Sequence, residues 1–310
     1  MCGYRQELPV MTYVGREIIR AFIAAPAMGD TAVGEVQPDP FRNIILFLLL
    51  GLAAAAWVAL VWQPHDMSMH VTMALRAAPF FVSWVVMMVA MMLPTAVPMI
   101  LAFHSAQAGQ RHPDSAFDST WAFVAAYLLV WAVSGIAAYA GVLAAAAVQP
   151  ALGPAATDEI GGLILMVAGI YQLTPLKQRC LSECRTPIIM TSWHDETAGT
   201  YRMGLLHGVY CLGCCWLLFV ALFPLGMTFE AMAAVTLIIL SEKTLPRPEF
   251  VSYDAAGVLM LCGLLMAVAP ELLAVLRIFG SLTEDEGLGL GLILGITALF
   301  VAAYAARPKH

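Results

Sequence analysis

F-F-V-S-W-V-V-M-M-V-A-M-M-L-P-T-A-V-P-M-I, residues 80–100, decides the fold class of this chain. The stretch carries no formal charge, and about 20 apolar residues in helix cross a hydrocarbon core of about 30 Å. Runs of this kind recur along the sequence after residue 40, at 41–62, 79–103, 120–148, 159–175, 204–225, 227–241, 255–277 and 287–306. Composition agrees, with 61% hydrophobic and 12% charged residues, where soluble chains have about half and about a quarter. The expected fold is all-α, a polytopic transmembrane bundle of about eight membrane segments. The sixth is short and joined to the fifth through F-P-L-G-M, so the number falls to seven if it is re-entrant.

Residues 1–40 read as a polar arm, without the apolar run and cleavage site of a secretory signal. Residues 41–250 form the expected metal-binding transmembrane domain, and 251–310 add two further membrane helices. The net charge of -6 is spread over short connectors, and no basic block suits nucleic acid. With the N-terminus inside, Arg5, Arg16, Arg20, Arg42, Arg111, Lys177, Arg179, Arg185, Arg202, Lys243, Arg247, Arg307 and Lys309 fall in inside segments, and Arg76 and Arg277 outside. Positive residues prefer the cytoplasmic face, so both termini are expected there. The seven cysteines lie mostly at or inside apolar segments, which argues for reduced thiols over a disulfide framework.

Chemistry concentrates in H-G-V-Y-C-L-G-C-C-W, residues 207–216. At about 100° per residue, His207, Cys211, Cys214 and Cys215 fall at roughly 0°, 40°, 340° and 80° around a helix, on one face. Sulfur and imidazole suit Cu(I), with zinc the second candidate. Ionisable groups inside a membrane mark functional sites by default, whereas single cysteines there usually serve as small packing residues. Cys180 and Cys184, one turn apart in Q-R-C-L-S-E-C-R, stand near the inner end of the fourth segment, placed to cap the same site. The spacing Cys211-Leu-Gly-Cys214 also fits a dithiol redox pair.

In the opening stretch, Met87 with Met91 and Met88 with Met92 stand one turn apart, a thioether set suited to Cu(I). Methionine is also a common core filler. Pro94 and Pro98 follow, and broken membrane helices often line sites. A further soft set, His65, Met67, Met69 and His70, with Asp66 and Met73, sits in the connector 63–78, where it also reads as a solvated loop. From outside to inside the ligands pass from His and Met, through Met, to Cys and His, a gradient that favours inward movement of Cu(I). Gly204 and Gly208 form a G-x-x-x-G that permits close helix contact, its neighbour unassigned. No G-x-x-x-x-G-K-[ST] loop occurs, which argues against primary active transport by this chain alone.

Four segments, 84–100, 169–187 (G-I-Y-Q-L-T-P-L-K-Q-R-C-L-S-E-C-R-T-P), 202–216 and 241–246 (S-E-K-T-L-P), resemble the bacterial family of predicted metal-binding integral membrane proteins, built on a domain of unknown function. The resemblance covers about residues 44–250. It implies a multi-pass protein of the bacterial inner membrane that binds metal, with no reaction assigned. Glu242 and Lys243 match the family's Glu-Lys pair, which reads as an anchoring ion pair or a second-tier site. Where that family continues G-M-M-N, this chain has Gly226-Met227-Thr228-Phe229.

The resulting expectation is a protein that binds a soft metal ion, Cu(I) first, for transport or delivery. Its expected partners are membrane lipid, the ion, and a metallochaperone or metalloenzyme assembly partner. A membrane thiol-disulfide oxidoreductase and a metal-free membrane scaffold are the alternatives.

Overall fold

The structure, a computed structural model, describes residues 40–62, 76–108, 113–185 and 198–268. Among them are eight α-helices and no strand: α1 (Pro40–Val61), α2 (Ala77–Ala108), α3 (Pro113–Val148), α4 (Pro154–Gln172), α5 (Pro175–Arg185), α6 (Ala198–Leu222), α7 (Phe229–Thr244) and α8 (Pro248–Val268). The all-α expectation holds. The arm at 1–39, the connector residues 63–75 with His65, Met67, Met69 and His70, and the segment 287–306 lie outside the described residues.

Helix α2 is the centre of the bundle. In its most apolar window 72% of residues are buried, against 22% in α1 and 11% in α3. A helix apolar all round belongs inside, and α2 buries Met87, Met88, Met91 and Met92 as well as Trp84 and Phe103. It runs unbroken through Pro94 and Pro98. Helix α1 packs on α2, α3 on α2 and α6, α5 on α6, and α8 on α4, while α7 packs on α2, α8, α6 and α5. The faces turned outward are also apolar, with Phe47, Val133, Ile136, Leu163 and Leu261 exposed.

Among the described residues, five helices are long and apolar enough to cross a membrane: α1, α2, α3, α6 and α8. Helices α4 and α5, bent by 61° at the break between them, make a sixth if counted as one span. The expected eight are therefore not reached among the described residues. The sixth predicted segment is α7, whose 16 residues reach only about 24 Å at about 1.5 Å per residue. It carries Glu230, Glu242 and Lys243 and docks against four other helices.

Two further expectations change. The inside connector predicted at 176–203 opens with α5, whose Lys177, Leu181 and Cys184 are buried. Lys177 and Lys243, counted among the charges of inside connectors, are 0% and 8% exposed and lie within helices.

The departure at Thr228 and Phe229 falls where α6 turns into α7. Gly226 has φ +82°, a left-handed conformation that glycine adopts without a Cβ penalty, and Met227 follows at φ +51°. Thr228 then caps α7 by accepting from the Ala231 amide, and Phe229 meets Trp57 of α1 edge to face at 5.1 Å.

Candidate metal centre

Helix α6 carries the site because its small residues bring it against α3. A methyl at Gly208 would meet Val130 Cγ2 at 2.8 Å, and one at Gly204 would run into the Phe123 carbonyl and Ala126. The G-x-x-x-G is thus used within this chain. The close approach sets the Tyr127 hydroxyl 3.2 Å from Cys211 Sγ.

The four residues of the 207–216 stretch all turn into the bundle. His207, Cys211, Cys214 and Cys215 are 7%, 0%, 1% and 1% exposed. Cys215 donates to the Cys211 carbonyl at 2.6 Å and Cys214 to the same carbonyl at 3.1 Å, with the two sulfurs 3.8 Å apart. Cys184 of α5 is buried in the same core as Cys211, Cys214 and Cys215. Cys180, half-buried, lies over Gly213, where an added methyl would stand 2.9 Å from its sulfur. Thiols from two helices therefore converge.

His207 lies between aromatic rings, its centroid 5.7 Å from Phe123 and 5.4 Å from Tyr127. Its Nε2 is buried without a hydrogen-bond partner. An orphaned polar atom in an apolar interior costs free energy of about 1–3 kcal/mol, and an incoming cation would relieve it.

Cys211 differs from its neighbours because it accepts from a cation. Lys243 of α7 donates to Cys211 Sγ at 3.1 Å and to Thr95 Oγ1 of α2 at 3.1 Å. An ammonium has only donors, and burying one is tolerable only beside compensating groups. The sulfur, the threonine and the tyrosine supply that surrounding.

Glu242 and Lys243 do not act as a pair. Consecutive helical residues point about 100° apart, and Glu242 turns to Lys177 of α5, forming a buried ion pair. Lys243 consequently moves from a second-tier candidate to direct contact with the thiols. Thr95 and Tyr127 are not candidates on sequence, and Lys177 counts there only as an inside charge. Tyr127 and Thr95 carry no local signal, since each reaches Cys211 or its lysine only through helix packing. Lys177 had one, because it shares the 177, 181, 184 face of α5.

Met87, Met88, Met91 and Met92 belong to the same continuous core as Cys184, Cys211, Cys214 and Cys215. Among the described residues, no group of three or more His, Cys, Asp or Glu side chains is placed to hold a metal ion. The thiols instead spend their hydrogen bonds on one another, on a carbonyl and on Lys243. The donor chemistry still fits a soft ion: sulfurs without a carboxylate among them, and an imidazole nitrogen left free.

Residues 81–266 match the family described as PpoB2, copper chaperone. The match takes in α8 almost to its end, beyond the point near residue 250 where the resemblance stops. No curated protein and no solved structure matches the chain.

Proposed function

This chain belongs to the PpoB2 copper chaperone family, and from that premise we propose that it is an integral membrane protein that takes up Cu(I) and passes it to a partner. Cys211, Cys214, Cys215 and His207 hold the ion, with Cys184 closing the site from α5 and Cys180 leading into it. The observation that carries this reading is that thiols from two helices are buried in one core, with Cys180 of α5 against Gly213 of α6 and Cys211 already held by a cation, Lys243. Taking up copper means replacing that ammonium at Cys211 and turning Cys214 and Cys215 from the Cys211 carbonyl. Release to a competing thiol partner restores those contacts, including the sulfur beside the buried ammonium of Lys243.

Membrane insertion is supported by the five span-length helices and the apolar outward faces. Localisation in a bacterial inner membrane with both termini cytoplasmic belongs to the same proposal. The four methionines of α2 form the relay toward the thiols, and zinc is the second metal. The redox alternative asks a partner thiol to reach Cys211 and Cys214, which are 0% and 1% exposed. An ion needs a much smaller opening.

The test is elemental analysis of detergent-purified protein loaded with Cu(I), wild type beside Cys211→Ser/Cys214→Ser. The wild type is expected to retain copper through desalting and the double variant to fall to background. Equal copper in the two would remove the proposal. Parallel loading with Zn(II) decides between the metals.

A further inference from the structure

The end of α7 is tied to both helices that carry the thiols. Glu242 forms its buried ion pair with Lys177 near the start of α5, and it also accepts from Ser252 Oγ of α8 at 2.9 Å. Arg185, the last residue of α5, donates to the Glu242 carbonyl at 2.5 Å and to the Leu245 carbonyl at 2.6 Å. Cys180 and Cys184 lie between those two attachments. The next residue, Lys243, reaches Cys211 on α6.

We propose that the end of α7 is a bracket that sets the register of the α5 thiols against the α6 thiols, making Lys177, Glu242 and Arg185 positioning residues for a two-helix copper site. This rests on the copper reading of the cluster. Helix α5, P-L-K-Q-R-C-L-S-E-C-R, buries only Lys177, Leu181 and Cys184. So little apolar surface does not fix a helix against sliding or rolling. A buried ion pair is poor general adhesive, because hydrophobic residues of similar volume serve as well or better. Its directionality suits it to fixing a register. The Arg185 fork adds the same control at the other end, and it also satisfies carbonyls that α7 leaves open at its C-terminus.

The experiment uses the full chain in detergent, as wild type, Glu242→Gln, Arg185→Met and Cys184→Ser. In metal-free protein, diamide takes the hydrogens of two adjacent thiols as it is reduced to its hydrazine, and mass spectrometry counts the Cys184–Cys211 and Cys184–Cys214 disulfides formed. Both bracket variants are expected to give severalfold less of these disulfides than wild type. In Cu(I)-loaded protein, their X-ray absorption spectra are expected to lose sulfur scattering as Cys184→Ser does. Variants that melt earlier yet keep the wild-type disulfide yield and sulfur shell would overturn the bracket. Should Glu242→Gln fail to fold, Arg185→Met, altered at a partly buried position, carries the test alone. A wild type that binds no Cu(I), with variants that still lose the disulfides, would leave the bracket standing and remove the copper reading.

Discussion

Gly213 shows how much one missing methyl controls. It lies between Cys211 and Cys214, and the Cys180 sulfur occupies the space that a Cβ would take. The Tyr171 hydroxyl closes the same spot by donating to the Gly213 carbonyl at 2.5 Å. Gly213→Ala is therefore expected to turn Cys180 outward, raising its maleimide labelling rate severalfold while copper already bound deeper in the site is retained. Unchanged labelling would mean that Cys180 is not held by this contact. Tyr127→Phe removes the hydroxyl beside Cys211 and should cost about 0.5–1.5 kcal/mol of stability, read from melting in detergent. At this scale the shared inward face of His207, Cys211, Cys214 and Cys215 was legible because they stand in one segment at one helical period. Lys243 was visible but misjudged, since its neighbour Glu242 suggested a partner that a 100° rotation rules out.

Between elements, small residues decide which helices meet. Gly208→Val would drive side-chain atoms into Val130 and push α3 from α6, separating Tyr127 from Cys211. Overpacking of this kind costs about 1–3 kcal/mol, so a lower melting temperature and weaker copper retention are expected together. Gly51 of α1 is the control, with nothing within 4 Å of an added methyl. There Gly51→Ala should stabilise by about 0.5–1 kcal/mol through helix propensity alone. The long apolar helices were legible to within several residues, since length and hydropathy carry that information. Helix α5 was not, because its composition reads as a polar connector. The spacing of Lys177, Leu181 and Cys184, one helical face, is the signal that would have shown it. Helix α7 was legible as apolar but not as docked, because hydropathy does not distinguish lipid from protein as the surrounding medium.

At the scale of the whole molecule, the same apolar composition does two jobs, and the two are separable by position. Helix α2 uses it to bury a core, whereas α3 turns most of it outward, with Val133 and Ile136 55% and 62% exposed. In water such a surface would be an association hazard; in lipid it is the matched solvent. Placing a charge there distinguishes the two, because a lysine at the centre of a membrane helix costs about 2.5–3.5 kcal/mol on insertion scales, while at a water-facing position it costs little. Val133→Lys/Ile136→Lys is thus expected to lower the amount of protein that stays with the membrane fraction after an alkaline carbonate wash by at least severalfold. Gln149→Lys, at an exposed position where α3 gives way to a short 3-10 turn, should leave it unchanged. Equal retention of both variants would show that the outward face of α3 does not meet hydrocarbon, and the membrane part of the proposed function would fall with it.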